Sequence, residues 1–377
     1  MPDSRNWFKS IPPERERKLL SFQRNGLLIK ADDKQLINFA SNDYLGLATH
    51  PNLRDAAIQE IRDHGLGSGA SRLVSGDDPL LHALENRLAQ WKGFDACLVV
   101  GSGMLANIGL IQTLADRHTH LFTDKLNHAS LVDGARLSEG KVDRYHHLDL
   151  TQLQTLLKKH SAAQRIIISD GVFSMDGDIA NLKALIKLAE QEDTLLLIDD
   201  AHGTGVLGEN AKGLTDLSNI AGHHRLIEVG TLGKAFGCYG AFILGTSEMI
   251  EGLRQRMRTL IYSTALPAAL PAAALEALTL IQQGDLVKQL HHNITLFKQK
   301  ASSLPLMPSE TPIQPLLAKS DCHALEMSGK LKNAGFFISA IRPPTVPEGT
   351  SRLRITLSAN HSETQIHQLI QALKTII

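Results

Sequence analysis

Short apolar runs alternate with stretches of helical periodicity through the first three quarters of the chain. ACLVV (96–100), HLFT (120–123), RIIIS (165–169), TLLLI (194–198), RLIEV (225–229) and GAFIL (240–244) have the length and composition of buried strands, and helix-length segments separate most of them. DDPLLHALENRLAQWKG places leucines at helical spacing, with Asp78 as N-cap, Pro79 at the first helical position and Gly93 as the stop. This alternation predicts an α/β class: a mostly parallel sheet with helices on both faces. From about residue 285 the order changes to helices with three weaker strands near 313–317, 335–341 and 352–357, the pattern of a smaller α+β domain. The expected organisation is an N-terminal segment over 1–45 packed across both domains, a large α/β domain over 46–284 and a small C-terminal domain over 285–377.

Composition narrows the partners. With 377 residues, 43% of them hydrophobic, the chain can bury a large core, and 39 basic residues balance 39 acidic ones. No net field draws it to nucleic acid or to an anionic membrane surface, which favours small-molecule partners. Cys97, Cys238 and Cys322 are scattered and form no C-x-x-C, so a reducing, cytoplasmic setting is expected, without a disulfide framework or zinc ribbon. The N-terminus MPDSRNWFKSIPPERERK lacks the apolar run of a signal peptide. The longest apolar stretch, 265–281, contains Pro267, Pro271 and Glu276 and reads as a buried helix, not a membrane span.

Chemistry gathers at predicted strand ends. TLLLIDDAHGTG runs from a buried strand directly into Asp199 and Asp200, with His202 close behind. An unpaired carboxylate out of water costs several kcal/mol, roughly, so a cation is expected opposite it. A structural ion pair would meet that need; a metal site is disfavoured because no third ligand is evident and the spacing matches no usual motif. In TLGKAFG, Lys234 follows another predicted strand; Glu228 and Ala235 exclude a phosphate-binding GxxxxGK[ST] loop, which leaves a lysine able to form an imine. In VVGSGMLAN a strand closes and a helix opens, so the amides of Gly103 and Met104 could hold a phosphate. The same segment satisfies a dinucleotide fingerprint, with Asp124 where a ribose-binding acid would sit, and a nicotinamide dehydrogenase is the rival reading there.

Taken together, a phosphate cradle, an Asp-x-x-His at a strand end and a lysine further on resemble the fold-type I pyridoxal-phosphate enzymes. SNDYLGL (41–47), GSGASRLVSG (67–76), LNHASLVDGARLS (126–138), DGVFSMDGDIANL (170–182), IDDAHGTGVLG (198–208), TLGKAFG, IYSTALP (261–267) and IRPPTVPEGTSRLRITL (341–357) look like the α-oxoamine synthases. The resemblance implies an aminotransferase-like large domain with a smaller C-terminal domain, and pyridoxal 5'-phosphate as cofactor. On matching positions it implies that Lys234 carries the cofactor as an imine and moves the substrate α-proton, and that Asp199 faces the ring nitrogen. His128 would stack on the ring, although as a residue it also suits a helix cap. His202 would bond the phenolic oxygen, Ser174 and Thr231 would fix ring and phosphate, and Gly103 and Met104 would supply phosphate-binding amides.

Ser263 and Thr264 would reach the phosphate of a second subunit, which implies a homodimer. Asn42 and Arg354 would hold an amino-acid carboxylate, although Arg352 and Arg354 alternate on a predicted strand where either could be surface. Arg342 and Thr345, in IRPPTVP, would meet the acyl substrate. That block favours family members joining L-alanine to a pimeloyl thioester, carried by coenzyme A or an acyl carrier protein, over those using glycine. The family's N-terminal substrate arginine has no assigned position, because Arg15, Arg17 and Arg24 all lie where the motifs do not reach. A non-catalytic partner subunit is the alternative outside catalysis, and Lys234 argues against it.

Overall fold

The computed structural model describes residues 10–31, 33–160 and 162–377. The chain divides into a larger unit, Asn42–Ser174 with Asp178–His291, and a smaller one of the residues up to Ser41, Met175–Gly177 and His292–Ile377. The described part of the N-terminal segment, up to Ser41, belongs to the smaller unit. Its strands β1 (Gln23–Asn25), β2 (Leu28–Ala31) and β3 (Lys34–Asn38) form an antiparallel meander.

The larger unit is built on β4 (Ala96–Val100), β5 (Thr119–Asp124), β6 (Lys141–Tyr145), β7 (Gln164–Asp170), β8 (Leu195–Asp199), β9 (Leu226–Thr231) and β10 (Ala241–Gly245), in the order β4-β10-β9-β8-β7-β5-β6. Every pairing is parallel except those of β10 with β4 and β9. Helices cover the sheet, so Ile166, Ile167, Ile168, Leu196, Leu197 and Ile198 are at most 2% exposed. Burial of each such side chain is worth about 1.5–3 kcal/mol. Six predicted strands are present to within a residue or two. The seventh, β6, carries KVDRY and only Tyr145 is buried, so hydrophobic patterning gives no signal for it; it is an edge strand recruited by β5.

Helices α1 (Pro51–His64), α2 (Pro79–Lys92), α3 (Gly103–Leu114), α4 (Ala129–Leu137), α5 (Leu150–Lys159) and α6 (Leu182–Gln191) follow in chain order. Asp78 caps α2 by accepting the Leu80 amide, and Gly93 ends the helix in the left-handed conformation. The apolar stretch near 265–281 is a helix, Ala269–Gln283, packed on α1 with eight buried residues. Among the described residues no helix is long and apolar enough to cross a membrane.

In the smaller unit β11 (Ile313–Leu317) and β14 (Arg352–Thr356) lie where expected. The predicted run 335–341 splits in two: β12 (Phe336–Phe337) adds parallel to β3, whereas β13 (Ser339–Ile341) pairs with β14. The resulting four-strand sheet, β1-β2-β3-β12, joins the N-terminal meander to the C-terminal region, and β11-β14-β13 form a separate three-strand sheet.

Candidate active site

The parallel strands end on one edge of the large sheet, and the carboxyl ends of β4, β7, β8 and β9 bring together residues far apart in sequence. Asp170 and Asp199 are register partners at the ends of β7 and β8, 4% and 7% exposed. Burial, reinforced by the Asp199 charge, holds the Asp170 carboxyl well above the usual range, although the His128 amide donates to it at 2.6 Å. The fold thus raises the proton affinity of Asp170 beside Asp199 at the strand ends.

Asp199 accepts from the Asn107 amide nitrogen at 2.6 Å and from the Ala201 N–H at 3.0 Å. Asn107 is fully buried on α3 and also donates to Ser130, so it is locked in position. Among the described residues no lysine, arginine or histidine forms an ion pair with Asp199. Two neutral donors hold a carboxylate's orientation without balancing its charge. Among the described residues no ion pair supplies the cation implied by a strand running into an acid, and a protonated pyridine nitrogen fits the position.

His202, 6% exposed, links two further groups. Its Nδ1 lies 2.6 Å from the Tyr44 hydroxyl and its Nε2 2.7 Å from Lys234 Nζ, while the Tyr44 hydroxyl donates to Asn42 Oδ1 at 3.2 Å. The donor inventory assigns the directions: the lysine donates to Nε2, Nδ1–H donates to Tyr44, and Tyr44 donates to Asn42. Lys234 lies in the turn after β9, where Gly237 has φ +61° and its α-carbon sits against the Leu47 and Ala48 backbone. That turn can pack against SNDYLGL only without a side chain at 237.

The expected phosphate cradle, Gly103 and Met104, is a helix N-terminus. Ser102 caps α3 through the Leu105 amide, and the N–H groups of Gly103 and Met104 belong to the first turn, outside the helical ladder. A β-carbon added at Gly103 would meet nothing within 4 Å, and Met104 is 42% exposed. Thr231 ends β9 with its hydroxyl donating to the Gly240 carbonyl and accepting from the Gly233 amide. Ser174 follows β7 and is half-buried. Ser263 and Thr264 line a small cleft with Gly101, at the end of β4.

His128 does cap α4, its Nδ1 taking the Ser130 amide, and burial lowers its pKa while the Asp199 charge opposes that shift. The cap fixes the ring without excluding a stacked ligand. Asp124, by contrast, is fully buried and bonded to the Leu126 and Leu148 amides and to His147, which Asp178 holds from its other side. It cannot reach a ribose, and the dinucleotide reading fails there.

In the smaller unit Arg342 is half-buried and donates to the Glu14 carbonyl, while Thr345 accepts from Arg17 at 3.0 Å. Arg15 is held by Asp321 and Glu348. Neither Arg352 nor Arg354 is a surface residue: they are 2% and 5% exposed, and Arg352 pairs with Asp176. Sequence reasoning missed Tyr44, Asn107 and Asp170 as site residues. Their signals were present: a polar residue on an apolar helix in GMLANIGL, and an acid closing RIIISD as another closes TLLLID.

Comparison with known proteins places the chain in a family. Residues 34–373 match the family model for aminotransferase class I and II. The 8-amino-7-oxononanoate synthase of Saccharophagus degradans is 46% identical over 98% of this chain and 94% of its own. A crystal structure of 8-amino-7-oxononanoate synthase from Francisella tularensis superposes with a TM-score of 0.79 at 32% identity, covering 90% of this chain and 97% of that one. A serine palmitoyltransferase from S. paucimobilis, solved with a bound pyridoxal-phosphate–myriocin aldimine, shares the fold at a TM-score of 0.91 and 24% identity, covering 95% and 91%. The strand-end acids, the lysine after β9 and the helix-borne cradle thus lie in a chain that belongs to the aminotransferase class I and II family, among the 8-amino-7-oxononanoate synthases.

Proposed function

We propose that the chain condenses L-alanine with a pimeloyl thioester, releasing carbon dioxide and the thiol and giving 8-amino-7-oxononanoate for biotin synthesis, as a cytoplasmic homodimer. The observation that carries this reading is Asp199, buried and without a protein cation among the described residues, beside a lysine on a histidine and an open helix N-terminus. Pyridoxal 5'-phosphate supplies the electron-withdrawing ring on which loss of a proton and of carbon dioxide becomes feasible.

The chain's residues bind, orient and move protons. Asp199 would keep the pyridine nitrogen protonated, and Asn107, which donates to it, would fix the carboxylate's orientation. Lys234 would hold the cofactor through Nζ and would move the α-proton; His202, which lies against Nζ, would bond the cofactor's phenolic oxygen. His128 would stack on the ring. The Gly103 and Met104 amides, with Ser174 and Thr231, take the phosphate, and Ser263 and Thr264 reach across from the second subunit. Asn42 and Arg354 bind the alanine carboxylate, for which a planar guanidinium is suited. Arg342 and Thr345 contact the acyl substrate.

Product analysis by mass spectrometry tests this, with alanine or glycine set against pimeloyl, succinyl, acetyl and palmitoyl thioesters. Alanine with pimeloyl thioester should turn over fastest. A methyl group in an apolar pocket is worth only about 1–3 kcal/mol, so glycine binding alone decides nothing. Faster turnover of glycine with acetyl or succinyl thioester would overturn the named reaction while leaving the family intact.

A further inference from the structure

Away from the strand ends that carry the site, three ligand-type side chains converge at the opposite end of the same sheet. His120 is the second residue of β5, Asp143 lies on the edge strand β6, and His160 caps the C-terminus of α5. Asp143 Oδ2 is 2.9 Å from His120 Nε2 and 3.1 Å from His160 Nε2, so two imidazoles meet on one carboxylate oxygen. All three donor atoms lie within 4.8 Å of one another. Donors bound at about 2.0–2.2 Å to one tetrahedral ion stand roughly 3.3–3.5 Å apart, so small side-chain adjustments suffice. His120 is 7% exposed in its side chain and stacks on Phe122 at 4.7 Å between centroids, which fixes its ring.

We propose that His120, Asp143 and His160 form a site for a divalent transition-metal ion, of which zinc is the type, that clips the edge strand and the end of α5 to β5. Two imidazoles and a carboxylate are an N/O donor set that zinc accepts. Each ring would coordinate through Nε2 and carry its proton on Nδ1. The C-terminal end of α5 is the negative end of its dipole and favours a cation at His160. An open cleft of about 510 Å³, lined by His118 and Lys141 among others, leaves the remaining coordination position to water. Arg117, Lys141 and Lys159 on the same wall oppose the ion's charge, so binding is of moderate strength. The site is separate from the reaction: His120 and Asp124 are four residues apart on β5, about 13 Å in an extended strand.

The test uses the holoenzyme, stripped with chelator, equilibrated with low-micromolar zinc chloride, desalted and measured by plasma mass spectrometry. Wild type should retain one zinc per chain more than the double variant Asp143→Asn/His160→Ala, whose side chains are partly exposed and can be replaced without opening the core. His118→Ala, on the same cleft, should retain zinc. Zinc should also raise the thermal unfolding midpoint of wild type and not that of the double variant. Equal zinc in wild type and double variant, or none in either, overturns the proposal and leaves two imidazoles bonded to a carboxylate. Should the double variant fail to fold, His160→Ala alone serves, with the same two outcomes.

Discussion

Lys92 ends α2 with its ammonium sealed in the protein, 0% exposed, against Glu228 and 3.6 Å from Asp200, both fully buried. It also donates to Thr204 at 3.2 Å and to the Lys212 carbonyl. Burial pushes Asp200 up to about 7, with Lys92 pulling it down and Glu228 pushing it up. Lys92→Met keeps the bulk and removes the charge, leaving two buried carboxylates without their cation. Breaking such a cluster from one side costs about 3–5 kcal/mol. The sign of the pH dependence follows from Asp200. Its folded pKa lies above the ordinary 3.8, so the native state binds more protons in that window and loses stability as pH rises through it. Without Lys92 the Asp200 carboxyl rises further, so the deficit should be largest at high pH and shrink on acidification, as it accepts a proton. Urea unfolding of wild type and variant, at pH values on either side of 7, measures this. A deficit under about 1 kcal/mol on the alkaline side, or one independent of pH, would refute the account. Because Asp200 follows Asp199 and receives the Leu214 amide at 2.9 Å, the same change should also weaken cofactor retention.

Asp199→Asn should fold and lose turnover by ~10²-fold or more, since an amide cannot hold a ring nitrogen protonated; near wild-type rates would remove the residue from the chemistry. Gly103→Ala should leave the unfolding midpoint nearly unchanged, because nothing lies within 4 Å of the added carbon, yet weaken pyridoxal-phosphate binding measured by equilibrium titration. Gly237→Ala should do the reverse in order: its β-carbon would sit 2.3 Å from the Ala48 nitrogen at a positive φ, costing at least about 1–3 kcal/mol in calorimetry before any effect on Lys234 is seen. Burial pushes Asp43 up to about 6, against the amides of Ala48, Leu47 and Gly46, so wild-type stability should fall as pH rises from near 4 to 6. Asp43→Asn should flatten that decline and exceed wild type at pH 8 by about 1–2 kcal/mol in urea titrations; an unchanged pH profile would show the carboxyl to be ionised throughout.

The sequence by itself determined the strands whose burial is two-sided, because an unbroken apolar run such as III (166–168) or LLLI (195–198) is stable between two covered faces. It also determined the chemistry at their ends: an acid directly after TLLLI and a lysine after RLIEVGTLG stand where an α/β sheet presents ligands. Local pattern could not show β6, whose edge position leaves KVDRY mostly exposed, nor the reversed direction of β10, since hydrophobic alternation is the same for parallel and antiparallel pairing. Nor could it separate β12 from β13, because Phe336 and Ser339 lie three residues apart and join different sheets. Tertiary structure decided which polar residues meet. Asn107 reaches Asp199 across 92 residues and Tyr44 reaches His202 across 158, contacts made by strand order and not by spacing in the chain. It also took Asp124 out of contention by burying it among amides and His147. A carboxylate's residue type is written in the sequence; whether it is satisfied by the protein or left for a ligand depends on the neighbours that the fold brings to it.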